Sequence, residues 1–203
     1  MKTGILGGTF NPIHDQHLAL AVKAHDKLML DKVLIMPSGI SYFKKNTGVL
    51  PAETRYRMCC LAADEFPYLE VSDIEIKRSG NTYTYETLEE IKRNEPSDEL
   101  FFIIGSDTLF SLKSWKCPDK VFSQANIVVF QRPEGSGDVS DKILDTIEEY
   151  KETFDAHIIL LDIDISDISS SMIREKAARG EDISMFVPHS VAEYIKENGL
   201  YHE

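Results

Sequence analysis

Apolar segments alternate with amphipathic ones along this sequence, and the alternation predicts an α/β protein with a doubly wound parallel sheet. Two stretches carry most of that prediction. The chain opens as strand, helix and strand, the βαβ unit whose strands lie parallel and whose crossover is right-handed. Farther on, Leu100 to Ile104 is a run of five apolar residues with no polar alternation. That pattern belongs to a parallel strand covered by helices on both faces.

The first strand is expected at Lys2 to Leu6, followed by a glycine turn and a helix from about Asp15 to Leu30, with Leu18, Val22 and Leu28 on its apolar side. A strand at Lys32 to Met36 completes the unit. The pattern continues with a helix at Pro51 to Glu65, a short strand at Leu69 to Val71 and a helix at Thr82 to Arg93. After the strand at Leu100 to Ile104 come strands at Ile127 to Phe130 and Ile158 to Leu161. Helices at Ser171 to Arg179 and Pro188 to Asn198 form a small C-terminal helical part, and Pro188 and Gly199 show the usual asymmetry of helix ends. Arg132 to Val139, with Pro133, Gly135, Ser136 and Gly137, reads as a surface loop too short to divide domains. A chain of 203 residues without internal repeats is therefore expected to fold as one domain over 1–203.

Hydrophobic residues at 42% and charged residues at 28% are ordinary globular proportions. The net charge of −12 argues against a nucleic-acid-wrapping surface, which needs a basic stripe to displace counterions. An anionic ligand must then be met by a local group of cations. The N-terminal MKTGILGG lacks the features of a signal peptide, and no run approaches a membrane span. Cys59, Cys60 and Cys117 are odd in number and suggest neither a disulfide framework nor a metal site, so a reducing cytoplasm is expected. The sequence allows a homo-oligomer without requiring one.

The chemistry concentrates in two segments. Gly7-Gly8-Thr9-Phe10-Asn11-Pro12-Ile13-His14-Asp15-Gln16-His17 falls where the first strand ends and the first helix begins. In open α/β sheets ligands bind beyond the strands' carboxyl ends, and a helix N-terminus offers unpaired N–H groups to phosphate. Gly7 and Gly8 would let the backbone approach closely. His14 and His17, three residues apart, can face one anion from the same side of a helix. Packing roles alone are the plainer account of two such histidines, and a zinc pair would need a third ligand that is not evident. A dinucleotide fingerprint is excluded, because Gly4-Ile5-Leu6-Gly7-Gly8 has the wrong spacing and the second strand ends in Met36-Pro37-Ser38 with no acid. The second segment, Ile168-Ser169-Ser170-Ser171-Met172-Ile173-Arg174, reads first as helix capping. It also reads as a second anion site, with Arg174 supplying a planar fork for phosphate oxygens.

Together the two segments resemble the HxGH-type nucleotidylyltransferases, and within them the nicotinate-nucleotide adenylyltransferases. The resemblance spans nearly the whole chain and includes the stretch from Arg78 to Leu88 with TYTYETL, FFIIGSDTLFSLKSW, Arg132-Pro133 and the closing VPHSVAEYIKENGLY. It implies a Rossmann-like nucleotidylyltransferase fold and an enzyme that joins nicotinate mononucleotide to the AMP moiety of ATP, with Mg2+ carried on the ATP. It implies that His14, His17, Lys44 and Arg174 act on the phosphates, and that Gly7, Gly8, Thr9, Phe10, Gly105, Asp107, Ile168, Ser169 and Ser170 bind ATP. Thr84, Trp115 and Arg132 would border the mononucleotide. The sequence departs from the family in two places: Gln16 stands where glycine is usual, and Ser41-Tyr42-Phe43-Lys44 replaces Pro-Pro-His-Lys. Sister enzymes of the superfamily, acting on pantetheine phosphate or with CTP, share the phosphate motifs and are the nearest alternatives. A non-catalytic nucleotide sensor on the same fold is another.

Overall fold

The computed structural model describes residues 1–41, 48–131, 137–163 and 168–202. Strand β1 (Lys2–Gly8) leads into helix α1 (Asp15–Leu28), strand β2 (Lys32–Pro37) and a two-residue strand β3 (Ile40–Ser41). Helix α2 (Ala52–Ala63), strand β4 (Leu69–Val71), the short helix α3 (Ile74–Lys77), strand β5 (Asn81–Thr82) and helix α4 (Thr84–Asn94) follow. The second half holds β6 (Glu99–Gly105), α5 (Ser106–Leu109), a 3-10 turn at Leu112–Ser114, α6 (Pro118–Gln124), β7 (Asn126–Gln131), α7 (Gly137–Phe154), β8 (Ile158–Asp162), α8 (Ser170–Ala178) and α9 (His189–Glu197).

Six strands of the described chain form one sheet in the order β4-β2-β1-β6-β7-β8, every neighbouring pair parallel. Strand order reverses between β1 and β6, so the crevice beyond their carboxyl ends is the switch point where ligands bind in such sheets. Alternate residues of each strand point to opposite faces. On one face Leu6, Ile35, Ile103 and Val128 pack with α1, α2, α8 and α9; on the other Ile5, Leu34, Phe102 and Val129 pack with α4, α6 and α7. The closing helices are thus part of the first core, through Ile173, Ala177, Val191 and Ile195, and not an appended unit.

The structure corrects several expectations. Gly7 and Gly8 are the last two residues of β1 and not a turn, paired with Met36 and Pro37. Gly8 is required for packing: a Cβ there would lie 2.9 Å from the Phe10 ring. The loop expected at 132–139 ends at Gly137, where the 18-residue α7 begins. Its Ile143, Ile147 and Tyr150 recur at helical spacing and are buried in the second core.

Candidate functional site

The β1–α1 connection is set by burial. Phe10, 2% exposed, turns back under the loop with φ of 47° and meets the His17 ring edge-on at 4.9 Å. His14 caps α1 from an extended conformation, so it stands before the helix and not within it. Its ring nevertheless stacks on that of His17 at 3.6 Å, because the His14 backbone N–H donates to His17 Nδ1 at 3.3 Å. That bond makes Nδ1 an acceptor and leaves the proton of a neutral His17 on Nε2. His14 is 4% exposed, and burial holds its pKa down from 6.5 to about 4, so its imidazole is neutral at neutral pH.

Helix α8 is fastened to the same loop. Ser169 caps it as expected, its hydroxyl accepting from Met172 N–H at 3.2 Å. Ser170 Oγ donates to the Pro12 carbonyl at 2.9 Å, and Arg174 donates through Nη1 to the Asn11 carbonyl at 2.8 Å and through Nη2 to Ser171 Oγ at 3.1 Å. A serine has one hydroxyl proton. With that proton on the Pro12 carbonyl, Ser170 clamps the two signature segments together while it lines the larger cavity.

Two cavities open at the carboxyl end of the sheet and share Thr9 on their walls. The larger, about 830 Å³, is lined by His14, Gln16, His17, Asp107, Ile168, Ser169, Ser170, Ser171 and Arg174. Here the N-termini of α1 and α8 converge, a setting that favours anions. The other, about 390 Å³, is lined by Gly7, Gly8, Ser38, Glu75, Thr84, Phe102, Trp115 and Lys116 among others. Trp115 meets Phe102 edge-on at 6.1 Å, giving that cavity an aromatic wall. Among the described residues, the buried side-chain polar atoms left without a partner are His14 Nδ1 and Ser38 Oγ, one in each cavity wall. Leaving such atoms unpaired costs about 1–3 kcal/mol each, and polar ligands offset that cost.

The structure therefore brings together His14, His17, Asp107, Ile168, Ser169, Ser170 and Arg174 in one cavity, and Thr84 and Trp115 in the other. Gly7 and Gly8, expected beside ATP, line the smaller cavity. Phe10 and Gly105 line neither; the Phe10 side chain is core. Lys44 and Arg132 lie outside the described residues.

Several contributors escape a reading by motif. Arg55 is 2% exposed and donates to the carbonyls of Thr9 at 2.6 Å, Ser38 at 2.7 Å and Leu50 at 3.0 Å. Its signal is visible in retrospect, since it falls on the stripe shared by Met58, Cys59 and Ala62, where a core helix holds apolar residues. Asn11 accepts from Leu50 N–H and Tyr201 OH at its Oδ1 and donates from Nδ2 to the Gly48 carbonyl. Lys116 is the one cation lining the smaller cavity among the described residues, its Nζ 4.3 Å over the Tyr83 ring. Glu75 lines the same cavity; burial raises its pKa, while hydrogen bonds from Thr87 and Thr82 oppose the rise.

A doubly wound sheet with two cavities meeting at its switch point, one of them walled by helix N-termini, is an arrangement suited to an anionic ligand. A family model described as cytidylyltransferase-like matches residues 5–176. A Clostridium tetani protein named "Probable nicotinate-nucleotide adenylyltransferase" is 41% identical over 98% of each chain, and a Clostridium beijerinckii protein of the same name is 42% identical over 98% of each. The chain belongs to the nicotinate-nucleotide adenylyltransferase family. The fold is shared with the solved Plasmodium falciparum nicotinic acid mononucleotide adenylyltransferase. Its complex with APC aligns at a TM-score of 0.76 over 98% of this chain and 96% of that one, and its complex with NaAD at 0.79 over 99% and 98%, both at 22% identity. Among the described residues no helix is long and apolar enough to cross a membrane.

Proposed function

We propose that the larger cavity binds the triphosphate of ATP and the smaller one nicotinate mononucleotide, and that the chain joins them into nicotinate adenine dinucleotide. A 5′-phosphate oxygen of the mononucleotide attacks the α-phosphorus of ATP, the new O–P bond forms, and the bond to the bridging oxygen breaks as pyrophosphate leaves. The observation that carries this reading is the meeting of the two cavities at Thr9 with an unpartnered buried polar atom in each wall. No protein nucleophile is required, because nucleotidyl transfer is helped mainly by alignment and charge neutralisation. His17 Nε2–H and His14 donate to phosphate oxygens, Arg174 balances the pyrophosphate, and Lys44 is assigned to the same task. Thr84, Trp115 and Arg132 hold the pyridine end.

Among the described residues no group of three or more His, Cys, Asp or Glu side chains is placed to hold a metal ion, and Asp107 is the one carboxylate on the larger cavity's wall. That donor set fits Mg2+ carried on the triphosphate, since the ion keeps several waters and takes one or two protein carboxylates. It would supply neutralisation of phosphate charge. The free thiols of Cys59, Cys60 and Cys117 support a cytoplasmic setting.

The test is pyrophosphate release and product mass with ATP or CTP against nicotinate mononucleotide, nicotinamide mononucleotide and phosphopantetheine. Turnover with ATP and nicotinate mononucleotide is expected to exceed every other pair. A preference for CTP or phosphopantetheine would assign a sister activity, and no turnover with any pair would assign a sensor.

A further inference from the structure

Arg55 lies beside both cavities without lining either, and its surroundings are unusual for a buried charge. Arg55 is 2% exposed, and its guanidinium donates to three carbonyl oxygens, with no carboxylate paired to it among the described residues. Burying a charge is costly unless it is well hydrogen-bonded, and a methionine would fill the same stripe without that cost. What the arginine adds is geometry. Its fork spans three chain segments at once: Thr9 after β1, Ser38 after β2, and Leu50 ahead of α2.

Thr9 lies on the wall common to both cavities, Ser38 on the smaller one, and Leu50 adjoins Gly48 and Val49 on the larger one. The Thr9–Phe10 peptide is trans, so its C=O and N–H point in opposite directions. With the Thr9 carbonyl held by Arg55, the backbone of the wall common to both cavities is anchored by the guanidinium. Phe10 itself holds a left-handed φ of 47°, a conformation that costs a non-glycine residue about 1–2 kcal/mol and must be maintained by its surroundings.

We propose that Arg55 is a positioning residue for adenylyl transfer, which grips the Thr9, Ser38 and Leu50 carbonyls so that the wall shared at Thr9 stays in place and the two cavities keep a fixed separation. This rests on the adenylyl-transfer reading, which the turnover of the wild-type chain tests by itself. Lysine keeps the charge but cannot span three carbonyls. A misplacement of about 1 Å at the reacting groups costs about 10²-fold in rate.

The experiment compares wild type, Arg55→Lys, Arg55→Met and Arg55→Ala for cooperative melting and, well below each melting point, for kcat and both KM values. Arg55→Lys and Arg55→Met are expected to fold and to lose about 10²-fold in kcat, with KM for the mononucleotide changed less than about threefold. Ethylguanidine, but not ethylamine, should restore turnover to Arg55→Ala, because only the planar fork replaces the lost donors. Wild-type kcat in folded Arg55→Lys overturns the proposal. So does failure of all three variants to fold, or a loss that vanishes when rates are expressed per folded molecule, since each of these makes Arg55 purely structural.

Discussion

The His17 ring is held in place by the loop that precedes its helix. Its Nδ1 accepts the His14 backbone N–H, which places the proton of the neutral ring on Nε2, and the residue lines the larger cavity. His17→Ala is expected to keep the fold and lower kcat by about 10²–10³-fold, the loss for removing one preorganised donor at a phosphate that gains charge during reaction. A folded variant with near-wild-type kcat would remove His17 from the phosphates. At the pyridine end the corresponding residue is Lys116, the cation that lines the smaller cavity in a chain of net charge −12. A nicotinate carboxylate gains from that ammonium and a carboxamide does not. Lys116→Gln should therefore reduce kcat/KM for nicotinate mononucleotide a few-fold, the modest scale of an exposed pair, and leave the nicotinamide form unchanged. Equal losses for both acceptors would reduce Lys116 to a surface contact with Tyr83. Strand-end glycines and capping serines pointed to His14, His17 and Arg174, which the structure sets on one cavity wall, while Trp115, named by the resemblance, lines the other cavity. Arg55, Asn11 and Lys116 were not legible, since what matters about them is which distant carbonyl or ring they reach.

At the scale of elements, the six strands of the main sheet could be read from sequence, most of them from apolar runs, whereas the two-residue β3 and β5 carry no such run and α7 was hidden by the Gly- and Pro-containing stretch that precedes it. Helix α7 matters to the site through Tyr150. Its hydroxyl donates to the Leu109 carbonyl at 2.9 Å and accepts from Lys113 N–H at 3.3 Å, so the helix braces the α5 and 3-10 segment that ends at Trp115. Tyr150 is fully buried, and Tyr150→Phe leaves both of those backbone groups short of a partner at about 1–3 kcal/mol. For a chain of this size that lowers Tm by roughly 2–4 °C for each kcal/mol. Because Trp115 lines the smaller cavity, proposed above for the mononucleotide, and α8 does not depend on this brace, KM for the mononucleotide should rise while KM for ATP holds. Thermal melts and paired KM measurements decide it, and a rise in KM for ATP alone would detach α7 from the acceptor side.

For the whole molecule, the two cores enclose the sheet so fully that the phosphate-binding edge is built into the fold, and its electrostatics become part of stability. His14 is the clearest case, with a folded pKa near 4 against 6.5 for the free side chain, the result of burial. Between those values the unfolded chain takes up a proton that the folded chain refuses. Stability therefore rises with pH across that window and is lost as pH falls from about 6.5 toward 4, at a slope approaching 1.36 kcal/mol per pH unit for one proton. Glu75 and Asp15 work in the opposite sense, because burial raises both carboxyls above their ordinary values, so each favours the folded state as pH falls through its own range. The net acid sensitivity is then a contest between this histidine and these two carboxyls. Urea unfolding of wild type, His14→Asn and Glu75→Gln from pH 4 to pH 7 resolves it. The loss of stability on acidification should flatten in His14→Asn and steepen in Glu75→Gln. A slope unchanged by His14→Asn would mean that the imidazole takes up its proton in the folded chain as readily as in the unfolded one, and that the loop holding it opens to water without a measurable cost.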